Sequence, residues 1–538
     1  MASTVTRRRC LVGVLAVAAA GCAEQRAAPA PSESAPPPER PPAPRPHGVI
    51  GTAVAASPAR LHGSLRSLLG DELGLASTYG ATVTLLAGLP LTSAPTIDEA
   101  APLRAVLWAP TSSEVELVAA VPLRAPELLL AQVSSGQAAP HRTRRDEEAG
   151  LDWVEPVAVD VPPSVAVAVA RNHLVLGSSA RAVAACGAYL AHPAPPELEP
   201  GSSALSVWLS RDAAVRAAGV VGERASAGRG PEWGALLGLL SSNDEVTRLS
   251  DARELKIDAN LDGEALTLSV AVDTASAPPS ACVDGPLSEL TSANVEAALV
   301  FATFSDDATR RASAERAAGW LAQAGLAGGE RGAKVKDALA AIARARGQGT
   351  RLAVELSEVG WLAYGSSDVT EPAAARDALE ALRVALDAGA DAKAGMELVA
   401  SKAVVENVGE ALRLRLRRPE SGGTDAKPVA TILARVHEER LVLSTGADPS
   451  YALLRELRAS AGAASLAERG EVAALAARVD ASATAFAYAD LAALRGKPRG
   501  ARLIASLRTC ASPAVVRAAI SHRAARELVD LLRARARP

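Results

Sequence analysis

Side chains able to do chemistry are scattered along this 538-residue chain and do not form a recognisable motif. No GxGxxG, P-loop, GxSxG, HExxH or CxxC pattern occurs, so neither a phosphate-binding loop nor a nucleophile elbow is predicted. The seven histidines lie far apart, and His437 lacks the second histidine that a zinc-binding helix needs. We therefore expect no metal, no cofactor and no enzyme activity. A hydrolase whose nucleophile and base meet only in the folded chain stays an alternative.

The five cysteines are too few for a disulfide scaffold, and their surroundings differ. Cys186 and Cys510 lie in helix-like stretches that favour small buried thiols. Cys282 lies in a loop-like segment, where oxidation or a bridge to Cys186 is an alternative. Cys22 stands apart because it follows the small residues 19–21 at the end of an apolar run.

The first 22 residues resemble the precursors of bacterial lipoproteins. Three arginines, 7–9, precede the apolar run 10–20, which is too short to span a bilayer and is typical of a signal peptide. Small residues followed by a cysteine resemble the lipobox of that family, although Ala19 stands where the family more often has Leu. The resemblance implies cleavage between Gly21 and Cys22, and acylation of both the Cys22 thiol and the new amino terminus with fatty acids such as palmitate. Two or more acyl chains anchor a protein stably to a membrane.

Two further features of this leader bear on export and sorting. Arg7 and Arg8, within TRRRCL, resemble the arginine pair of the twin-arginine export signal, with Cys10 in place of the usual Phe. A simple charged region of an ordinary secretory signal is the alternative. Ala23 follows the cysteine, and by the sorting rules of some Gram-negative bacteria a residue other than Asp favours the outer membrane, facing the periplasm.

The chain is predicted to have four parts. They are a signal peptide (1–21), the lipidated cysteine with a Pro-rich linker (22–47), a first half (48–280) and a second half (293–538). Nine prolines among residues 23–47 favour an extended spacer, because proline fixes φ and removes a hydrogen-bond donor. Proline and small polar residues mark a boundary at 274–292. No other apolar run reaches 18 residues, so we expect no transmembrane helix.

Strand and helix patterns alternate through the body of the chain. They predict an α+β fold of repeated strand–helix modules, with antiparallel sheets faced by helices in two related halves. Residues 255–272 form a predicted hairpin with one buried and one wet face, and its Asp262-Gly263 pair suits a turn with positive φ. Apolar spacing predicts helices at 333–346, 370–389 and 522–537.

Three patterns recur and support an internal repeat. The sequence VAVAVARNHLVLGSS (165–179) resembles VATILARVHEERLVLST (429–445), with the second turn predicted to be three residues longer. The tetrapeptide GEAL occurs at 263–266 and at 409–412. Strands also run into an acidic residue that favours a helix N-cap, namely Asp212, Asp306 with Asp307, and Asp490. The body resembles duplicated α+β envelope proteins of unknown function.

Alternating Leu and Arg follows the second GEAL copy. The arginines Arg413, Arg415 and Arg417 predict a half-buried strand with a cationic outer face. That face is either simply solvated or a site for an anion or a partner.

Composition narrows the class of function. The chain is 49% hydrophobic and 22% charged, which excludes a disordered protein, and its 57 basic against 60 acidic residues give no excess that favours nucleic acid. We expect a membrane-anchored envelope lipoprotein with a non-catalytic role in binding or scaffolding an envelope protein partner. A carrier of lipid or another hydrophobic ligand is the main alternative.

Overall fold

A computed structural model describes the larger part of the chain. The described residues are 43–69, 76–111, 114–135, 141–157, 165–192, 198–213, 252–274, 283–358, 360–387, 397–417, 428–460, 465–510 and 512–536. The predicted signal peptide, Gly21, Cys22 and most of the linker lie outside them, as does Cys282. The chain divides into two compact units between residues 276 and 277, within the segment 274–292.

The first unit contains an antiparallel sheet. Its described strands are β1 (Val49–Ala55), β2 (Leu103–Trp108), β3 (Glu116–Pro122), β4 (His141–Asp146), β5 (Leu151–Pro156), β6 (Ala166–Ala170), β7 (His173–Gly177), β8 (Leu205–Ser210), β9 (Ala252–Leu261) and β10 (Ala265–Thr274). Their order across the sheet is β10-β9-β8-β1-β2-β3-β7-β6-β5-β4, and every neighbouring pair is antiparallel.

Helices cover both sides of this sheet. They are α1 (Pro58–Leu69), α2 (Tyr79–Leu86), α3 (Pro126–Ser134) and α4 (Ala180–Ala191), with a short 3-10 helix at Leu91–Thr96. Leu61, Tyr79 and Leu129 pack in one core with strand residues such as Val169, whereas α4 packs in a separate core. Burying apolar side chains on both sides stabilises the sheet between its helices.

The second unit contains a sheet of the same kind. Its described strands are β11 (Gly285–Pro286), β12 (Leu299–Phe304), β13 (Arg346–Ser357), β14 (Gly360–Val369), β15 (Glu397–Val405), β16 (Gly409–Arg417), β17 (Ala430–His437), β18 (Arg440–Gly446), β19 (Ser482–Ala483), β20 (Ala485–Asp490), β21 (Arg502–Arg508) and β22 (Ala514–Ser521). The order is β22-β21-β20-β12-β13-β14-β18-β17-β16-β15, again antiparallel throughout, and β11 pairs separately with β19.

Helices of the second unit lie close to the predicted positions. They are α5 (Ser288–Thr291), α6 (Asp307–Gln323), α7 (Gly329–Ala345), α8 (Pro372–Asp387), α9 (Pro449–Ser460), α10 (Gly470–Ala476) and α11 (His522–Ala536), with 3-10 helices at Leu466–Glu468 and Ala493–Arg495. Helix α7 ends at Ala345, and Arg346, the last residue of the helix predicted at 333–346, already opens β13.

The two units share one strand order. Strands β1 to β7 of the first unit correspond in turn to β12 to β18 of the second, and β8 to β10 correspond to β20 to β22. With this correspondence, the strand orders of the two sheets are identical. A helix also lies between β3 and β4 and between β14 and β15, and another follows β7 and β18. The predicted α+β class, with antiparallel sheets faced by helices in two related halves, is therefore confirmed.

The sequence repeats fit this match unevenly. Segments 165–179 and 429–445 form the equivalent hairpins β6–β7 and β17–β18, but the predicted difference in turn length is wrong. Both turns have two residues, and each begins with a non-glycine residue of positive φ, Arg171 at 54° and Glu438 at 50°. The GEAL pair is not an equivalent pair, because one copy opens β10 and the other opens β16, which matches β5.

The hairpin predicted at 255–272 is present as β9 and β10, but its turn differs from the expectation. Gly263 does not have a positive φ. The Asp262 carboxylate instead accepts hydrogen bonds from the backbone N–H groups of Glu264 and Ala265, both at 2.9 Å. An aspartate side chain that satisfies the following backbone groups makes a left-handed glycine unnecessary here.

The predicted aspartate caps are partly right. Asp306 caps α6 by accepting from the Thr309 N–H at 2.8 Å, and Asp307 lies in the first turn. Asp490 is fully buried and accepts from the N–H groups of Ala493, Gly500 and Ala501, so it holds a whole loop. Asp212 lies inside a helical turn at 211–213 and does not precede it.

The left-handed residue in the β17–β18 turn gives a test of backbone strain. We expect Glu438→Gly to raise the free energy of unfolding by up to ~1 kcal/mol, because a non-glycine residue in this region is strained. The neighbouring change Glu439→Gly, at a residue without positive φ, should lower it by a similar amount. Urea denaturation of both variants measures the difference, and equal losses would contradict the strain assignment.

Candidate functional site

The central strands of the second unit separate two kinds of side chain. Burial alternates with period two along β12, β13, β20 and β21, as expected when the two sides of a sheet have different surroundings. We call the side that packs under α5, α9 and α10 the covered face. Side chains on the opposite side are only partly buried.

A charged network lies in the covered face. Arg351 of β13 and Glu456 of α9 form an ion pair with 2.5 Å between Nη2 and Oε1, and their side chains are 1% and 0% exposed. The Ser366 hydroxyl donates to the same carboxylate oxygen at 2.6 Å. Arg351 also donates to the Ser292 hydroxyl and, at 3.4 Å, to the Glu289 carbonyl. A buried ion pair persists only when such additional hydrogen bonds offset the cost of desolvation.

Further polar groups surround this pair. Burial raises the pKa of Glu355, an effect that Arg455, with 3.4 Å between its Nη2 and Oε1 of Glu355, partly offsets. Burial, together with the charge of Glu355, also raises the pKa of Tyr364. Carboxylate, serine and tyrosine groups thus lie together, yet each is buried. This cluster joins the sheet to α5 and α9, and its burial favours a structural role.

The first unit places an arginine at the matching strand. Arg104 of β2 donates through Nη1 to the carbonyl oxygens of His192 at 3.2 Å and Leu190 at 3.5 Å, at the end of α4. A cation interacts favourably with the unsatisfied carbonyl groups at a helix C-terminus. The two units therefore fasten equivalent helices to their sheets with arginine but use different acceptors.

The opposite side of the second sheet is free of charge at its centre. We call this surface the apolar face, and its members are Leu299, Phe301, Leu352, Val354, Leu356, Trp361, Ala363, Leu443, Ala487, Leu503, Ala505 and Leu507. Strand register places them on one side, since Leu299 lies opposite Val354 and Val354 lies opposite Ala363. Helices α7 and α8 pack on this side too, but over residues such as Leu412 and Ala434 of β16 and β17.

The distribution of charge across this sheet is the reverse of the usual one. Sheets that face water on one side normally carry polar residues there and apolar residues beneath the covering layer. Here the charged Arg351, Glu355, Asp490 and Arg502 lie in the covered face, and Trp361 on the apolar face is 51% exposed. A contiguous apolar surface that is not fully covered is typical of a site that contacts a protein, a membrane or a hydrophobic ligand.

The β9–β10 hairpin of the first unit carries a smaller surface of this kind. Ile257, Leu268 and Val270 are only partly buried, whereas Glu254 and Lys256 on the other side of β9 are exposed. The predicted alternation of polar and apolar residues is present. The apolar side is less fully buried than the pattern indicates.

The remaining candidate residues occupy different places. Cys186 is a free buried thiol, and burial raises its pKa to about 12. Cys510 is disulfide-bonded, so the predicted buried thiol at this position is wrong, and because Cys186 is a free thiol, the alternative bridge between Cys186 and Cys282 is wrong too. His62 lies in the core, with 2.7 Å between its Nε2 and the Thr82 hydroxyl. Burial lowers the pKa of His173 to about 4.

The described residues contain neither a metal-ligating cluster nor a membrane-spanning helix. No cluster of three His, Cys, Asp or Glu side chains within the described ranges is able to hold a metal ion. None of the helices in that part of the chain is long and apolar enough to cross a bilayer. Arg7, Arg8, Gly21 and Cys22, the residues of the predicted export and lipidation signals, lie outside the described residues.

Sequence reasoning missed both the buried network and the apolar face. Arg351 and Glu456 are 105 positions apart, and no local motif marks them as partners. The only available signal was the alternation in RLAVELS on β13, and that pattern does not say which of its two faces a helix covers.

Comparison with known proteins adds little. No protein family matches the chain, and no curated protein matches it either. Three solved structures, crystal forms I, IV and III of TP0453, align with TM-scores of 0.25, 0.22 and 0.23 at 6%, 8% and 8% identity. The alignments cover 43%, 43% and 44% of this chain and 78%, 80% and 82% of TP0453. At these scores the likeness supports no statement about fold or function.

The buried ion pair gives a test of its structural role. We expect Glu456→Leu to lower the free energy of unfolding by ~3–5 kcal/mol, because it leaves Arg351 buried without its carboxylate. The double variant Arg351→Met with Glu456→Leu should lose much less, since neither charge remains. Chemical denaturation measures both, and a double variant as unstable as the single one would contradict this account.

Proposed function

We propose that this chain is an exported lipoprotein, anchored to a cell-envelope membrane through acylated Cys22, with a non-catalytic binding role. The resemblance of residues 1–22 to lipoprotein precursors carries this proposal. The disulfide at Cys510 supports export, because disulfides persist in oxidising compartments and are rare in the cytosol. The outer membrane, on its periplasmic side, is the proposed location because Ala23 follows the cysteine.

The Pro-rich linker suits this arrangement. Residues 43–47 already contact the first unit, because Arg45 lies over the Trp208 ring and the Trp108 indole donates to the His47 carbonyl at 2.8 Å. The segment 23–42 therefore separates the acylated residue from the folded first unit, and an extended polyproline II segment of this length spans up to roughly 60 Å. It would allow the folded units to reach a partner or ligand at a distance from the lipid headgroups.

The anchor is tested by cysteine substitution. We expect Cys22→Ala to abolish acylation, because the thiol that forms the thioether is lost, and the intact mass should lack acyl chains. The matched control Cys10→Ala lies in the predicted signal peptide and should still give a lipidated mature protein that floats with membranes. A wild-type protein whose amino terminus is free, or uncut before residue 22, would contradict the proposal.

The apolar face favours one class of ligand within this binding role. We propose as a second candidate function that the chain carries a lipid or another hydrophobic molecule. The centre of this face has neither charges nor directional hydrogen-bonding groups. It can therefore bury an acyl chain, whereas a polar ligand would find no hydrogen-bonding partners there. Burial of apolar area contributes about 25 cal/mol per Å², so even part of this face would hold an acyl chain.

Displacement of a fluorescent fatty acid tests the ligand class. We expect Val354→Asp to weaken binding at least tenfold, because it places a carboxylate in the middle of the apolar face. The control Val384→Asp introduces the same group on α8, where Val384 is 53% exposed, and should bind normally. Free energies of unfolding identify any variant that fails to fold, and Val354→Ile should retain binding. Equal binding by the two Asp variants, or no lipid in native mass spectra, would refute the carrier function.

A further inference from the structure

Two hairpins at equivalent edges of the two sheets carry rows of arginine. In the first unit the edge hairpin is β4–β5, with Arg142, Arg144 and Arg145 on β4. In the second unit the matching hairpin is β15–β16, with three arginines at positions 413, 415 and 417 of β16. Exposed edge strands commonly carry charge, which discourages pairing with other chains. The two rows differ, however, in how that charge is balanced.

Acidic side chains neutralise the row of the first unit. Glu155 of β5 accepts from both Arg142 and Arg144, at 2.9 and 3.0 Å, and Asp152 accepts from Arg145 at 2.6 Å. Hydrogen bonds from these arginines lower the pKa of Glu155. Cross-strand pairs of opposite charge are a normal way to stabilise a sheet edge. This hairpin therefore has little charge left for a partner.

The second row is balanced at one end only. Arg417 forms an ion pair with Glu397 at 2.7 Å. Arg413 donates only to the Ser401 hydroxyl, at 3.2 Å, and Arg415 is exposed. Neither has an ion pair within the described part of the chain, where the ion pairs of this hairpin are those of Arg417 and of Lys402 with Glu410.

A third arginine extends this surface. Arg435 of β17 donates to the Glu410 carbonyl at 3.0 Å and forms no ion pair with a described residue. Register places Leu433 opposite Arg413, so Arg435 lies diagonally beside Arg413 on the same side of the sheet. We call Arg413, Arg415 and Arg435 the cationic strip. The residues directly opposite Arg413 and Arg415 on that side are Ser401, Leu433, Val399 and Thr431, none of which is acidic, and Glu397, one pair further along, is bound to Arg417.

Unbalanced neighbouring cations are costly in an isolated protein. At Arg413 this cost is evident in the pKa, which partial burial and the charge of Arg415 both lower. Guanidinium groups bind phosphate oxygens in a bidentate manner and keep their charge at any physiological pH. An anionic surface that presents several phosphates would balance the whole strip at once.

We propose that the cationic strip docks the β15–β16 edge on an anionic phospholipid surface by binding headgroup phosphates. This inference rests on the proposed membrane anchor, which would hold the chain close to such headgroups. Basic residues near an anionic leaflet each contribute a factor of about five in affinity. Removing two of them should weaken docking roughly thirtyfold.

Energy transfer within the lipidated, full-length mature protein tests the docking. A donor dye is attached through Val404→Cys, at the end of this hairpin, where Val404 is 83% exposed. The acceptor is a headgroup-labelled lipid, in vesicles of phosphatidylcholine with or without phosphatidylglycerol. We expect strong transfer only in the phosphatidylglycerol vesicles, and high salt should abolish it because it screens the charges.

Matched variants decide the assignment. Arg413→Gln with Arg415→Gln should abolish the phosphatidylglycerol-dependent transfer, whereas the balanced pair Arg142→Gln with Arg144→Gln should preserve it. Thermal unfolding of each variant establishes that it is folded. Unchanged transfer in the first variant, or equal loss in both, would overturn the proposal. Displacement by inorganic phosphate at constant ionic strength would overturn the lipid assignment in favour of free phosphate.

The same samples separate this inference from the anchor. Flotation with pure phosphatidylcholine vesicles reports the acyl anchor alone, because those lipids carry no net charge. Protein that floats but shows no phosphatidylglycerol-dependent transfer would refute the cationic strip and leave the anchor intact. Protein that does not float would refute the anchor, and the docking inference that rests on it.

Discussion

Every side chain on a β-strand must belong to one of two faces, and in this protein that constraint decides where charge has to be paired. In the second unit the covered face takes Arg351, Asp490 and Arg502, so each of these buried groups requires a partner. Glu456 pairs with Arg351, backbone N–H groups donate to the Asp490 carboxylate, and Glu471 pairs with Arg502. Because the charged groups lie under the helices, the apolar face is left to aliphatic and aromatic side chains.

The shared strand order defines what the two units have in common and where they differ. Nine antiparallel pairings follow one another in the same order in both units, with helices at matching connections, so the two halves share one plan. The hairpins β6–β7 and β17–β18 still resemble each other in sequence and keep a left-handed residue at the same turn position. The arginines Arg104 and Arg351 differ in their acceptors, since one donates to helix carbonyls and the other to a buried carboxylate. The two units thus have the same strand pairing but different side chains around it.

Charge balance distinguishes the equivalent edges of the two sheets, β4–β5 and β15–β16. The β4–β5 hairpin contains its own acids and so satisfies its arginines internally, while the β15–β16 hairpin does not. Like charges on neighbouring strands repel, and a fold tolerates them best where they meet solvent or an anionic partner. Equivalent positions of two units with one topology can in this way carry different surfaces.

Local patterns in the sequence were sufficient for the features that depend on neighbouring residues. Period-two and helical spacing predicted the strands and helices, and Asp306 was predicted as a cap, whereas the resemblance of residues 1–22 to a lipoprotein leader rests on the sequence alone. Details that depend on backbone geometry were less accessible, such as the two-residue turn at Glu438 and the carboxylate that replaces a left-handed glycine at Asp262. The resemblance between the GEAL segments even pointed to positions that are not equivalent.

Tertiary structure alone decided which face of each sheet is covered, and with it the partners of the buried charges. RLAVELS on β13 alternates polar and apolar residues, and that pattern reads equally well with Arg351 in solvent or in the core. Glu456 lies 105 positions away on α9, so its carboxylate becomes a neighbour only when the helix packs on the sheet. Periodicity determines which residues share a face, whereas the layer that covers that face comes from distant parts of the chain.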